Sequence, residues 1–176
     1  AGRRSFPSFA DIDGDGDPDI VVGNTASADV YYLNLGNRIF STEMAITVPL
    51  DIETKAVRLG DMDRDGRLDL VVATTLDPVL VGGELRLDVA TGVDEGTFLY
   101  LNNGTATPFS SVAPTRISDD ENKLFSNGSM DLGDVNGDGY LDVLIGNLTF
   151  DRLYLNNASG PGSDPFFGVA GADVSP

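Results

Sequence analysis

One acidic nine-residue pattern occurs three times in this chain of 176 residues, and it constrains the fold more than any other feature. The copies begin at Asp11, Asp61 and Asp134 and read DIDGDGDPD, DMDRDGRLD and DVNGDGYLD. Oxygen-bearing side chains at positions 1, 3, 5 and 9, with a glycine at position 6 for a sharp turn, can surround one hard cation. The pattern therefore predicts three calcium loops.

Each predicted Ca²⁺ site takes side-chain oxygens from four positions of its loop and the backbone carbonyl from position 7. The side-chain ligands are Asp11, Asp13, Asp15 and Asp19, then Asp61, Asp63, Asp65 and Asp69, then Asp134, Asn136, Asp138 and Asp142. The carbonyl ligands belong to Asp17, Arg67 and Tyr140. Because Asn136 replaces an aspartate, we expect the third site to bind calcium more weakly than the other two.

The residues after each loop are typical of a β-strand rather than a helix. They read IVV, LVV and VLI, which are apolar and mostly β-branched. An EF-hand would need helices on both sides and a bidentate glutamate at position 12, where this chain has Val22, Val72 and Ile145. The alternative of metal-free Asp-Gly turns is disfavoured, since clustered carboxylates repel one another.

The alignment of the three copies predicts four short strands per repeat. One strand precedes the loop, one follows it, a third ends in Tyr-Leu-Asn, and a fourth comes after a turn and an aromatic residue. The aromatic residues are Phe40, Phe109 and Phe166. The recurring Tyr32, Tyr100 and Tyr154 favour packing in the core or between repeats, with sugar stacking as the alternative.

This pattern of an acidic loop followed by an apolar strand resembles the FG-GAP or VCBS repeats of integrin-α-like β-propellers. The resemblance implies an all-β fold of three four-stranded, propeller-like blades with calcium-binding loops between strands. We expect a single repeat domain over residues 1–176, with repeat 1 at 1–50, repeat 2 at 51–120 and repeat 3 at 121–176. A closed propeller needs at least four blades, so we expect an open arrangement.

An insertion at about residues 76–96 lengthens the second repeat. In it Leu85, Leu87 and Val89 alternate with Arg86 and Asp88, a period-2 pattern that predicts a strand with one buried face. Either the insertion is a long hairpin that folds back on its own blade, or it is an arm that docks on a partner.

Composition excludes several classes of function. The chain has neither Cys nor His, so disulfides, thiolate nucleophiles and imidazole bases are absent, and we expect no enzymatic activity. Its net charge of −17 argues against binding to nucleic acid or to anionic membranes, and no apolar run is long enough to span a bilayer. Calcium sites of this kind are typical of extracellular modules, so we expect a location outside the cell or at its surface.

Four N-x-[ST] sequons are candidates for N-glycosylation. They lie at Asn103, Asn127, Asn147 and Asn157. Asn103 and Asn157 occupy equivalent turns after the third strand, where an acceptor would face solvent. The alternative is that all four are unmodified asparagines.

The open ends of three blades leave two hypotheses for assembly. The chain is either cut from a longer repeat protein, or its subunits polymerise head to tail through open strand edges. The function that fits both is an extracellular calcium-binding structural or adhesive element of a surface assembly or filament. The alternative is a lectin-like or integrin-like module that recognises a cell-surface protein or a glycan.

Overall fold

The computed structural model describes residues 4–25, 27–46, 53–75, 78–81, 84–87, 96–117, 129–146, 151–166 and 170–174, with the backbone alone for 78–81 and 84–87. All regular elements in these residues are β-strands. Within this part of the chain there is no helix with the length and apolar character needed to cross a membrane.

Three four-stranded antiparallel sheets form the fold, as the repeats predicted, and we call them blades 1 to 3. Blade 1 consists of β1 (Ser5–Ala10), β2 (Asp19–Asn24), β3 (Val30–Tyr32) and β4 (Met44–Ala45). Blade 2 consists of β5 (Glu53–Gly60), β6 (Asp69–Thr75), β9 (Thr97–Tyr100) and β10 (Thr115–Arg116). Blade 3 consists of β11 (Ser129–Gly133), β12 (Asp142–Gly146), β13 (Arg152–Tyr154) and β14 (Ala172–Asp173).

The strands of each blade are paired in chain order, and the acidic loop joins the first strand to the second. Ala10 pairs with Asp19, Gly60 with Asp69, and Gly133 with Asp142, so each loop closes a hairpin at the same register. The three described sheets do not close into a ring. The fold is therefore an open, all-β array, as expected from three blades.

The insertion in repeat 2 contains a separate two-stranded hairpin. Its strands are β7 (Pro78–Val81) and β8 (Glu84–Leu87), which pair antiparallel from Pro78↔Leu87 to Val81↔Glu84. The predicted strand at Leu85 and Leu87 is present, whereas Val89 lies outside the described residues. Whether this hairpin folds back or acts as an arm stays a prediction.

Two hydrophobic cores lie between neighbouring blades. In the first, Val21 and Tyr31 of blade 1 pack with Leu70, Val72 and other residues of blade 2. In the second, the opposite face of blade 2 packs with blade 3. Alternate residues of β6 therefore point into different cores, and every residue of β6 is buried.

The recurring aromatic residues lie at these junctions between blades. Tyr100 and Phe109 belong to the core of blades 1 and 2, and the ring of Phe109 meets Tyr31 edge-on at a centroid distance of 5.8 Å. Tyr154 and Phe166 belong to the core of blades 2 and 3. Tyr32, at the equivalent place in blade 1, is only half-buried and donates a hydrogen bond to Glu43.

Candidate metal loops and the junctions between blades

The three acidic loops fold in the same way because their first aspartate organises the backbone of each. Both carboxylate oxygens of Asp11, Asp61 and Asp134 accept hydrogen bonds from backbone N–H groups at positions 5 and 6 of the loop, at 2.9 to 3.2 Å. At position 5, Asp15, Asp65 and Asp138 each accept a hydrogen bond of 2.8 Å from the N–H of position 7. The aspartates thus hold each loop wrapped around its own carboxylates.

Two positions of each loop have a left-handed backbone conformation. At position 6 the φ angles of Gly16, Gly66 and Gly139 are 94°, 87° and 90°, as the glycine requirement predicted. At position 4, Gly14 and Gly137 have φ angles of 80° and 79°, but the second loop has Arg64 there, with a φ of 61°. A non-glycine residue in this region is strained, so the second loop stores strain that the other two avoid.

Two of the loops form aspartate triads that could hold a metal ion. Asp11, Asp13 and Asp15 each offer a carboxylate oxygen within 4.8 Å of the others. Asp61, Asp63 and Asp65 do the same in the second loop. In the third loop, position 3 is Asn136 rather than an aspartate, so the loop has one carboxylate fewer. The amide of Asn136 donates a hydrogen bond of 2.8 Å to one carboxylate oxygen of Asp138.

The aspartate at position 9 connects its loop to the third strand of its blade. Asp19, Asp69 and Asp142 are buried, and one oxygen of each accepts a hydrogen bond from the N–H of position 2 at 2.8 or 2.9 Å. The other oxygen accepts one of 2.7 or 2.8 Å from the N–H of Asn34, Asn102 or Asn156. These aspartates are therefore structural tethers, and their additional role as metal ligands stays a prediction.

Burial and mutual repulsion raise the pKa of several loop carboxyls. Burial is the main cause for Asp69, whose pKa is raised to about 7, with the charges of Asp63 and Asp65 acting in the same direction. Burial likewise raises the pKa of Asp19, and burial together with the charge on Asp19 raises that of Asp13. A cation among these groups would lower the pKa values again, because it stabilises the ionised carboxylates.

The backbone N–H groups of the predicted carbonyl ligands Asp17, Arg67 and Tyr140 bond to position 5 of their own loops. Two of these side chains make contacts that the sequence did not reveal. Arg67 forms an ion pair with Asp65 and donates a hydrogen bond of 3.2 Å to the carbonyl of Asn102. Arg64 lies over the ring of Tyr140, 5.2 Å from its centroid, and so joins the second loop to the third.

Asparagines at the end of the third strand connect neighbouring blades. The side-chain amide of Asn102 donates to the carbonyl of Ile12 at 2.8 Å, and that of Asn156 donates to the carbonyl of Met62 at 2.7 Å. Ile12 and Met62 occupy position 2 of the loop in the preceding blade, and both side chains are buried at the junction. The recurrence of Tyr-Leu-Asn was the available signal, although it did not indicate this contact.

The two junctions differ at position 3 of the loop. Asp63 is buried and accepts a hydrogen bond of 2.6 Å from the N–H of Gly162, in the turn that precedes Phe166. The equivalent turn in blade 2 is three residues shorter, and a cavity of about 200 Å³ lies beside Asp13. The cavity is also lined by Arg67, Asn102 and Thr105.

Two of the predicted glycosylation candidates are described, and both are exposed. The Asn103 side-chain oxygen accepts hydrogen bonds from the backbone and the hydroxyl of Thr105, the third residue of its own sequon. Asn157 lies in the equivalent turn of blade 3, where its N–H donates to the carbonyl of Pro165. Asn127 and Asn147 lie outside the described residues, and glycosylation stays a prediction.

Comparison with known families agrees with the repeated loops. The FG-GAP-like repeat family matches residues 11–72 and 85–145, more than half of the chain. The chain belongs to the FG-GAP-like repeat family. This membership accounts for the recurrence of the acidic loop and the strand that follows it.

No curated protein matches the chain. Among solved structures, it has a distant likeness to a lectin from Agrocybe aegerita whose structure describes recognition of non-reducing terminal N-acetylglucosamine. The sequence identity is 20%, the TM-score is 0.31, and the alignment covers 89% of this chain and 50% of the lectin. The chain thus spans about half the length of that protein.

Proposed function

We propose that this protein is a non-enzymatic, extracellular structural module in which calcium stabilises the stacking of β-blades within a larger surface assembly. The proposal rests on one observation, which is that residues of the acidic loops make contacts at the junctions between blades. Ile12 and Met62 lie inside the acidic loops, yet their side chains fill the cores between blades and their carbonyls bind the next blade through Asn102 and Asn156. A cation that fixes the loop would therefore stabilise the junction as well.

Charge supports calcium as the cation. The loop carboxylates are hard oxygen donors, which suit Ca²⁺, and they contribute strongly to the net charge of −17. Burial raises the pKa of Asp69 to about 7, and a cation beside this carboxyl would favour its ionised form. Extracellular calcium is abundant enough to occupy loops of modest affinity, which favours a location outside the cell.

Calcium titration with calorimetry, combined with thermal unfolding in calcium or EGTA, tests the proposal. We expect calcium to bind and to raise the unfolding temperature, because a ligand at about 100 times its Kd stabilises the folded state by about 2.7 kcal/mol. Unchanged unfolding in EGTA, with no heat of binding, would contradict it.

The variant Asp13→Asn provides a matched test, since it gives the first loop the residue that the third has at position 3. We expect weaker calcium binding at one site and a retained fold, as Asn136 is compatible with the same backbone. Asp131→Asn is the control, because it removes one negative charge from an exposed position outside the loops. Equal losses of calcium affinity in both variants would point to a general charge effect rather than to ligation.

The cavity beside Asp13 supports recognition of a ligand as a second candidate function. Its wall combines a carboxylate, a guanidinium and a hydroxyl, which are groups that bind polar ligands such as saccharides. A monosaccharide panel that includes N-acetylglucosamine, followed by NMR in calcium, tests this candidate. Filling the cavity by Thr105→Tyr should abolish binding, whereas Ser159→Tyr on the exposed turn of blade 3 should not.

A further inference from the structure

Two sheet faces of the array lack a neighbouring blade within the described residues. The head face is the side of blade 1 that points away from blade 2, and it consists of Phe9, Ile20, Val22 and Tyr32, with Pro7 and the buried Val30 on either side of Val22. The tail face is the side of blade 3 that points away from blade 2, and it consists of Val135, Leu144, Leu153 and Leu155, with the exposed Asp131 opposite Leu144. Both are largely apolar.

The head face repeats a surface that is buried elsewhere in the chain. Counted from the loops, Ile20 and Tyr32 are equivalent to Leu70 and Tyr100, which are completely buried against blade 1. Phe9 is equivalent to Leu59, which packs against the same core. Phe9 itself is 68% exposed. Blade 1 therefore presents the surface with which a blade packs on its predecessor.

The tail face repeats the other half of the same junction. Val135 and Leu144 are equivalent to Met62 and Val71, which are buried completely in the core between blades 2 and 3. Val135 is 60% exposed and Leu144 is 41% exposed. Blade 3 therefore presents the surface on which a following blade would pack.

The donor and the acceptor of the hydrogen bond at each internal junction have equivalents beside the head face and the tail face, respectively. At both internal junctions an asparagine donates to the carbonyl at position 2 of the preceding loop. The equivalent asparagine beside the head face is Asn34, which in the described part of the chain donates to Pro18 of its own blade. The equivalent carbonyl beside the tail face belongs to Val135.

We propose that the head face stacks on the tail face of a second copy of this chain, face to face, and reproduces the junction that the chain already forms twice. The proposal rests on the proposed function only in that calcium-fixed loops hold Asn34 and Val135 in place. It differs from pairing of strand edges, because the contact is made by side chains of sheet faces. Two copies would supply six blades, a number at which propellers close into a ring. If the rotation from one copy to the next does not close a ring, the same contact would give a filament.

Sedimentation in calcium, from about 10 μM to about 1 mM protein, tests the stacking with three single variants. Phe9→Arg damages only the head face and Leu144→Arg only the tail face. Leu35→Arg is the matched control, because Leu35 is exposed in a turn and its equivalents Asn103 and Asn157 are exposed beside the internal junctions. All three substitutions make the net charge less negative, so a loss of association cannot result from added repulsion.

We expect the unmodified chain and Leu35→Arg to associate, and each face variant alone to remain monomeric. An equimolar mixture of Phe9→Arg and Leu144→Arg should form a dimer and nothing larger, because each retains the face that the other lacks. A monomeric unmodified chain at every concentration would overturn the stacking, as would continued association of either face variant alone.

The same samples in EGTA separate the two proposals. A monomer that binds calcium and loses stability in EGTA would overturn the stacking and leave the calcium module intact. Complementary association of the face variants that is unaffected by EGTA would support the stacking and contradict the proposed role of calcium.

Discussion

The central blade is buried on both faces, whereas each outer blade is buried on one. Strand β6 of blade 2 reads DLVVATT and is buried throughout. Strand β2 of blade 1 reads DIVVGN and alternates between buried and half-buried residues, and β12 of blade 3 reads DVLIG with Leu144 exposed. The three sequences are almost equally apolar. Each strand therefore has two faces that can form a junction, and a face is buried only where a neighbouring blade packs against it.

The largest expected difference concerns equivalent tyrosines of blades 1 and 2. Tyr100→Ala should destabilise the fold by about 3 to 5 kcal/mol, because it leaves a cavity in the core between blades. Tyr32→Ala should cost about 1 kcal/mol, since Tyr32 is half-buried and loses mainly its bond to Glu43. Urea unfolding in calcium at low protein concentration measures both values. Equal losses would show that the head face is covered even in the monomer.

A pH effect is expected at the junction of blades 1 and 2, where burial raises the pKa of Asp29 to about 6 from 3.8. Its oxygens accept hydrogen bonds from the N–H of Asn24 and the hydroxyl of Thr54, both at 2.7 Å. Because the folded state holds this proton more tightly than the unfolded chain, the stabilisation is full below about pH 4 and is lost as the pH rises through 6. The loss amounts to roughly 3 kcal/mol.

The variant Asp29→Asn should remove this pH dependence, since an amide does not titrate. Its oxygen can accept the hydrogen bond from Asn24, and its NH2 group can donate one to the Thr54 hydroxyl. Its stability relative to the unmodified chain should therefore rise between pH 4 and pH 7. Chemical unfolding at a series of pH values in saturating calcium measures the difference. Asp131→Asn, at an exposed position, is the control, and an identical pH profile for both variants would contradict the assignment to Asp29.

A smaller difference is expected between the asparagines that follow the third strands. Asn102→Ala should cost about 2 kcal/mol, because it leaves the carbonyls of Ile12 and Leu68 without the amide that binds them. Asn34→Ala should cost less than about 1 kcal/mol, as its side-chain contacts are exposed or only partly buried and lie within its own blade. The same urea unfolding experiment ranks the two, and a larger loss for Asn34 would reverse the comparison between blades.

The smallest expected difference lies in the loops themselves. Gly14→Ala should cost about 1 kcal/mol, because it places a Cβ in a left-handed conformation. Arg64→Ala should cost about 0.5 kcal/mol, since the second loop already tolerates a non-glycine residue and loses only the contact with Tyr140. Thermal unfolding of both variants in EGTA measures these effects without calcium, and equal losses would mean that the contact of Arg64 with Tyr140 contributes as much as the strain introduced at Gly14.

Much of the local structure could be predicted from the sequence because the loops organise themselves. The hydrogen bonds of Asp11 reach no further than position 6 of its own loop, so residue type and spacing are sufficient to specify the turn. The strands on either side follow from their apolar and β-branched residues. Family membership and the four-stranded blades, which the same pattern predicted, are confirmed.

Contacts between distant residues could not be predicted from one sequence. Asn102 binds a carbonyl ninety residues away, and Asp63 accepts a hydrogen bond from Gly162, ninety-nine residues away. The hydrogen bonds that tether Asp19, Asp69 and Asp142 to the third strand were also missed. The motif indicates only that these aspartates are metal ligands, and their partners Asn34, Asn102 and Asn156 lie outside it. The same applies to the buried pair of Asp29 and Thr54.

The turn conformation of the acidic loops and the strands that they join follow from residue type and spacing alone, because they depend on interactions within about nine residues. Which of the equivalent residues are buried depends instead on how the blades pack against one another. Met62 and Val135 occupy the same position in their loops, yet the first is inaccessible and the second is 60% exposed. Burial requires a second surface, and the stacking of one blade on the next provides it for Met62 but not, within the described residues, for Val135.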